Sequence, residues 1–238
     1  RQLEKLARRL VRTEDTRESF AFLDPLLLRT PGAAVSESVA MAGRMGQAAR
    51  ENICLATDQL SQYSRERETQ ILQNEDKLDI YEDRLSSYLV EISQHGLSMQ
   101  DMRTVSRLLH AIGDFERIGD HADNLAGYTR LLNKRNISFS PAAQKEIAAM
   151  RDICLECVDY LLTPVAGNVE WLSEVSALEQ RIDDMTSDYR RSHLERMRSG
   201  ECSDEACIIY SELLTDFERI GDHVLNIAQE MAQVQEHI

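Results

Sequence analysis

The octapeptide DFERIGDH occupies residues 114–121 and returns unchanged at residues 216–223, 102 positions later. After each copy, Asn124 matches Asn226, Leu125 matches Ile227 and Ala126 matches Ala228. Upstream, the pattern E-x-[KR]-[LI]-D runs from Glu75 to Asp79 and again from Glu179 to Asp183, offset by 104 residues. Two features in the same order at nearly the same offset describe a duplicated unit of about a hundred residues.

The composition makes that unit helical. The 238 residues contain only 10 Gly and 4 Pro, and long stretches rich in Leu, Ala, Glu, Arg and Gln carry neither. Breaker residues divide each unit into three helices, predicted over 35–61, 68–94 and 98–133, then 141–168, 170–199 and 203–235. Ser98 with Asp101 has the form of a capping box, Asp standing for the usual Glu or Gln. Pro141 suits a first helical turn, and Gly167 and Gly200 fall at expected stops. The expected fold is all-α: two tandem three-helix bundles related by the duplication, joined end to end or side by side. The expected division is a connector over 1–34, a first bundle over 35–135 and a second over 141–238. Residues 1–12 form a basic amphipathic helix candidate with Leu3, Leu6 and Leu10 on one side. The first residue is Arg1 rather than Met, as expected for a piece of a longer chain.

A net charge of −14 disfavours nucleic acid and anionic lipid as partners and suits cations. No apolar run reaches the ~20 residues that span a bilayer. Of the five cysteines, Cys154 and Cys157 form a CxxC. With no second CxxC or paired histidine following, the spacing reads as two small core residues on one helical face. Reduced thiols fit a cytosolic compartment.

A helical wheel separates the octapeptide into parts. With Glu218 at zero, Asp222 falls at about 40° and Asn226 at about 80°. Phe217, Gly221, Val224 and Ala228 form an apolar seam beside them, while Asp216 and His223 fall on a different side. Glu116, Asp120, Asn124, Phe115, Gly119 and Ala122 repeat the geometry. A mid-helix glycine costs about 1 kcal/mol against Ala, so its repetition predicts close approach of a neighbouring helix.

Glu75 with Asp79, and Glu179 with Asp183, are also spaced i, i+4. Like charges at that spacing destabilise a helix by a few tenths of a kcal/mol. Four such pairs repeated in register are expected to have a compensating cation, with antiparallel neighbours assembling four-carboxylate cups. Hard oxygen ligands favour Mg, Ca, Mn or iron(III) and tolerate Zn. The bland alternative is a solvated face, with Arg117 and Arg219 pairing acids on adjacent turns. No histidine has Glu three residues before it, which disfavours ferritin-type di-iron chemistry. His121 and His223 point away from the ladder and read as supporting or surface residues.

ERIGDHA followed by Asn, duplicated, with E-x-x-x-D on the preceding helix, resembles the PhoU family. The resemblance covers about residues 35–235. It implies two three-helix bundles related by pseudo-two-fold symmetry, with multinuclear iron or zinc clusters held by E(D)xxxD motifs. Glu75, Asp79, Glu116 and Asp120 would serve one cluster, and Glu179, Asp183, Glu218 and Asp222 the other. Asn124 and Asn226 occupy the trailing motif position. The stretch FLDPLLLRTPGAAVSESVAMAGRM is similar to the connector of sodium/phosphate cotransporter-like proteins, whose cytoplasmic C-terminal domain has this fold. The resemblance therefore implies a regulatory domain on the cytoplasmic side of the membrane, attached to a cotransporter domain in the same chain. Its alternative is a free-standing regulator touching a phosphate ABC transporter and a sensor kinase, and homodimers fall within either. No nucleophile with its base and no Gly-rich phosphate loop points to an enzyme.

Overall fold

A computed structural model describes residues 25–163 and 170–235. The predicted helix over 1–12 and the helix stop at Gly167 lie outside them. After a 3-10 turn (Pro25–Arg29) come six helices: α1 (Pro31–Ser61), α2 (Arg65–Ser93), α3 (Met99–Arg135), α4 (Pro141–Leu162), α5 (Trp171–Arg198) and α6 (Asp204–Gln235). No strand occurs among the described residues.

Local chemistry sets the boundaries. At the start of α3 the expected cap forms, with one change: Asp101 N–H donates to Ser98 Oγ at 3.0 Å, while Asp101 Oδ2 accepts from the Ser98 hydroxyl at 2.7 Å, a side-chain contact in place of the backbone bond of a full capping box. Ser140 accepts from Ala143 N–H, with Pro141 just inside α4. Two helices begin earlier than expected. Pro31 starts α1 four residues ahead, because its missing N–H is no loss at a first turn. Ser64 caps α2 three residues ahead by accepting from Arg67 N–H. The buried Gln59 holds that turn from both sides, donating to Ser64 C=O at 2.9 Å and accepting from Ser64 N–H at 2.6 Å. Asn136 at φ 53° and Gly200 at φ +72° supply the left-handed residues that end α3 and α5.

Helices α1 to α3 pack on one another, as do α4 to α6, and the two bundles lie side by side through α3 on α6 and α1 on α4. One hydrophobic core runs through both. Phe115 and Phe217 are buried in it, as the wheel seam requires. So are Cys154 and Cys157; burial pushes the Cys157 thiol up to about 12 and raises Cys154 well above its ordinary value, as suits packing residues. Between α1 and α4, Arg50 Nη2 donates to Asp159 Oδ2 at 2.8 Å and Arg151 lies 3.8 Å from Asp58.

Candidate metal centre

The repeated glycines place the acids. A Cβ on Gly119 would lie 2.5 Å from Leu78 Cδ1, and one on Gly221 would lie 3.2 Å from Ile182 Cδ1. Leu78 and Ile182 immediately precede Asp79 and Asp183. Glycine thus lets the second helix of each bundle seat a branched side chain against the third, beside the carboxylates of both. The physical purpose read from the sequence, close helix approach, is what the structure shows.

In the second bundle the approach gathers Glu179 and Asp183 of α5 with Asp222 of α6, one carboxylate oxygen from each lying within 4.8 Å of the others. All three are half-buried. Glu179 is raised above its ordinary value by burial and then by the charges of Asp183 and Asp222. Asp183 is raised by burial, then by Glu218, Asp222 and Asp184, with Arg190 acting against them. Glu218, expected as the fourth member, is instead drawn to Arg190, whose Nη2 is 2.8 Å from Glu218 Oε2 and also donates to Thr215 Oγ1. Arg219 pairs with Asp222 one turn away at 3.1 Å. The cup is therefore three converging carboxylates with a fourth held at its rim by an arginine.

In the first bundle Glu75 and Asp79 are deeply buried, each 5% exposed, while Glu116 and Asp120 are half-buried on α3. Among the described residues these four do not converge to the spacing of the second cup.

The wheel set one group of octapeptide residues on a third side, away from ladder and seam, and that side is not a solvent face. Asp114, His121, Asp216 and His223 are not peripheral. Helices α3 and α6 run antiparallel across the junction of the bundles, and the two copies face each other. His121 Nδ1 lies 2.6 Å from Asp216 Oδ1, and His223 Nδ1 lies 2.7 Å from Asp114 Oδ1. The two imidazoles stack with centroids 5.5 Å apart. Asn124 Nδ2 also donates to Asp216 Oδ1, at 2.9 Å, whereas Asn226 is exposed. A wheel of one helix cannot reveal a partner on another. The available clue was the recurrence of both Asp and His in each copy, which lets each copy supply the same two groups to the other across a two-fold contact.

Fold and site together define a duplicated helical protein with a carboxylate cluster where the second and third helices of its second bundle cross. A family model described as PhoU domain matches residues 42–129 and 147–231, once in each half, and the chain belongs to that family. It is 27% identical over 167 residues to a phosphate-specific transport system accessory protein PhoU homolog 1 of Thermotoga maritima, covering 69% of this chain and 71% of the relative. A PhoU homolog of Xylella fastidiosa is 26% identical over 188 residues, covering 78% of each. In fold, the chain is similar to PhoU from Pseudomonas aeruginosa (TM-score 0.80, 20% identity, 87% of this chain and 99% of that one). The phosphate transport system regulatory protein PhoU from Streptococcus pneumoniae is also similar (TM-score 0.74, 17% identity, 86% and 96%). No helix among the described residues is long and apolar enough to cross a membrane.

Proposed function

We propose that this protein is a regulator of phosphate transport that acts by binding to a transporter complex rather than by catalysis. The observation that carries the reading is the pair of PhoU-domain matches, one in each half. The relatives named as accessory proteins of phosphate-specific transport systems favour the accessory setting, with an ABC transporter and its two-component signalling as the regulated machinery. They shift the balance away from a cotransporter domain in the same chain, the setting that the connector resemblance had put first. The test is co-purification of the tagged protein from its source organism, grown with excess and with limiting phosphate. Recovery of transporter ATPase or permease subunits, changing with phosphate supply, is expected. Recovery of neither, with unaltered phosphate uptake after deletion of the gene, sinks the reading.

The same reading assigns a metal to the carboxylates. Glu179, Asp183 and Asp222, with Glu218 released from Arg190, would hold it in the second bundle; Glu75, Asp79, Glu116 and Asp120 would hold it in the first. The donor set fits an iron or zinc ion or cluster of the kind the family implies: converging oxygens, half-buried, with two carboxylates raised first by burial and then by neighbouring acids. Bound there, a cation supplies positive charge that offsets this repulsion and cross-links α5 to α6. Elemental analysis of protein expressed in iron- and zinc-replete medium should find more than one equivalent. Glu218→Ala with Asp222→Ala should remove the second bundle's share alone.

A further inference from the structure

A second cluster of metal-ligating side chains lies at the far end of the second bundle, away from the carboxylates. A ring nitrogen of His193, near the end of α5, and the Sγ atoms of Cys202 and Cys207 lie within 4.8 Å of one another. The turn between α5 and α6 builds this grouping. Gly200 adopts φ +72°, and Glu201 N–H donates to Arg196 C=O at 3.0 Å, folding the chain back over the last turn of α5. Cys202 then sits in the turn. Cys207 lies in the first turn of α6, where its N–H donates to Ser203 C=O; burial, then the neighbouring Cys202, raise its thiol above the ordinary value, so a bound cation would have to displace that proton.

His193 gives the independent observation. It is 96% buried, being 4% exposed, and its ring packs on Tyr210 with centroids 4.5 Å apart. Nε2 lies 3.2 Å from the Cys207 carbonyl oxygen, an acceptor, so the proton belongs on Nε2 and the lone pair on Nδ1. Nδ1 is buried with no hydrogen-bond partner. Buried polar atoms are almost always partnered. An imidazole whose N–H is anchored on a backbone carbonyl, with its other nitrogen unengaged, is the usual arrangement of a metal-ligating histidine.

We propose that His193, Cys202 and Cys207 form a site for a soft or borderline divalent cation, zinc in the first instance, distinct from the carboxylate cups and independent of the phosphate reading. Two thiolates and an imidazole select zinc over the hard cations that carboxylates hold. With Zn–S near 2.3 Å, the ligands of a tetrahedral ion are about 3.8 Å apart, so these atoms need close by only about an ångström. A cavity of about 400 Å³, lined by His193, Cys202, Glu201, Glu205 and Tyr210, leaves room for a water or carboxylate as fourth ligand. Arg196, one turn beyond His193, is not an obstacle, since both its terminal nitrogens bind Glu146 at 2.9 and 2.6 Å.

The whole chain, reduced and stripped with chelator, is titrated with Co²⁺ and then Zn²⁺. The expected result is one equivalent of cobalt giving a sulfur-to-metal charge-transfer band and tetrahedral visible bands, bleached by zinc. Cys202→Ser, at a half-buried position that leaves the core intact, should abolish the band and weaken zinc binding more than about a hundredfold. Cys207→Ser should do the same, with circular dichroism reporting the fold. The triple variant Glu179→Gln, Asp183→Asn, Asp222→Asn should keep the band, as should Cys154→Ser. Cobalt binding without a sulfur band, or a band that survives Cys202→Ser, overturns the proposal. So does loss of two titratable thiols to a Cys202–Cys207 disulfide in protein that binds no cobalt.

Discussion

Asp114 and His223, 109 residues apart in sequence, meet at 2.7 Å across the junction of the two bundles, and His121 and Asp216 repeat the contact at 2.6 Å. Each copy of the octapeptide thus supplies the acid for the other's imidazole. The pair of contacts ties α3 to α6 at the centre of the molecule. It also explains why both ends of DFERIGDH recur, since a change in one copy removes a partner from the other.

Asp216 accepts from both His121 and Asn124 and its side chain is 7% exposed, whereas Asp114 is 17% exposed and has only His223 as a hydrogen-bond partner among the described residues. Asp216→Ala is expected to destabilise by about 2 to 3 kcal/mol, since it removes the shared acceptor of two half-buried donors. Asp114→Ala should cost about 1 to 2 kcal/mol. Urea denaturation at neutral pH measures both. Equal losses would mean that the Asn124 contact contributes nothing.

The glycine pair predicts an asymmetry. Alanine at Gly119 must displace the buried Leu78 side chain from 2.5 Å, while at Gly221 it meets Ile182 at 3.2 Å. Overpacking of about 1 to 3 kcal/mol outweighs the ~1 kcal/mol helix-propensity gain at Gly119. Gly221→Ala should fall near neutral. Thermal unfolding of the two variants decides it; Gly221→Ala as the more damaging substitution would contradict the packing account.

Glu179 and Asp183 give the pH dependence. Both are raised in the fold, so their contribution to stability is present below the ordinary carboxylate values of 4.5 and 3.8 and is lost as pH rises through the raised ones. In chelator-treated protein, Glu179→Gln and Asp183→Asn should therefore stabilise at pH 7, by about 0.5 kcal/mol given their solvent screening. The gain should vanish below about pH 4. Melting curves across that range, with and without added iron or zinc, check it, and added metal should reverse the sign.

Glu146 is the hub of a network holding α4 to α5 and α6. Arg196 binds both its oxygens, Tyr210 donates its hydroxyl to Oε2, and the guanidinium lies 5.5 Å from the Tyr210 ring centre. Burial, followed by the Glu146 contact, raises the Tyr210 hydroxyl far above its ordinary value. Glu146→Ala leaves a nearly buried arginine without its acid and should cost about 3 to 5 kcal/mol. Equilibrium denaturation should show Arg196→Met with Glu146→Leu recovering much of that loss, because an apolar pair leaves no stranded charge.

The sequence by itself determined the helices, the duplication and the candidate acids, because each rests on short-range regularity. The apolar seam of Phe115 and Gly119, the Ser98 cap and the i, i+4 carboxylates are local statements about one helix. Tertiary structure alone decided the rest. It turned Glu218 toward Arg190, gathered Glu179, Asp183 and Asp222 more tightly than the first-bundle acids, and laid the bundles side by side. It also brought His193 to Cys202 and Cys207, residues whose spacing matches no familiar ligand motif. These outcomes depend on which helix faces which, and an antiparallel contact such as Asp114 with His223 joins residues that no periodicity relates.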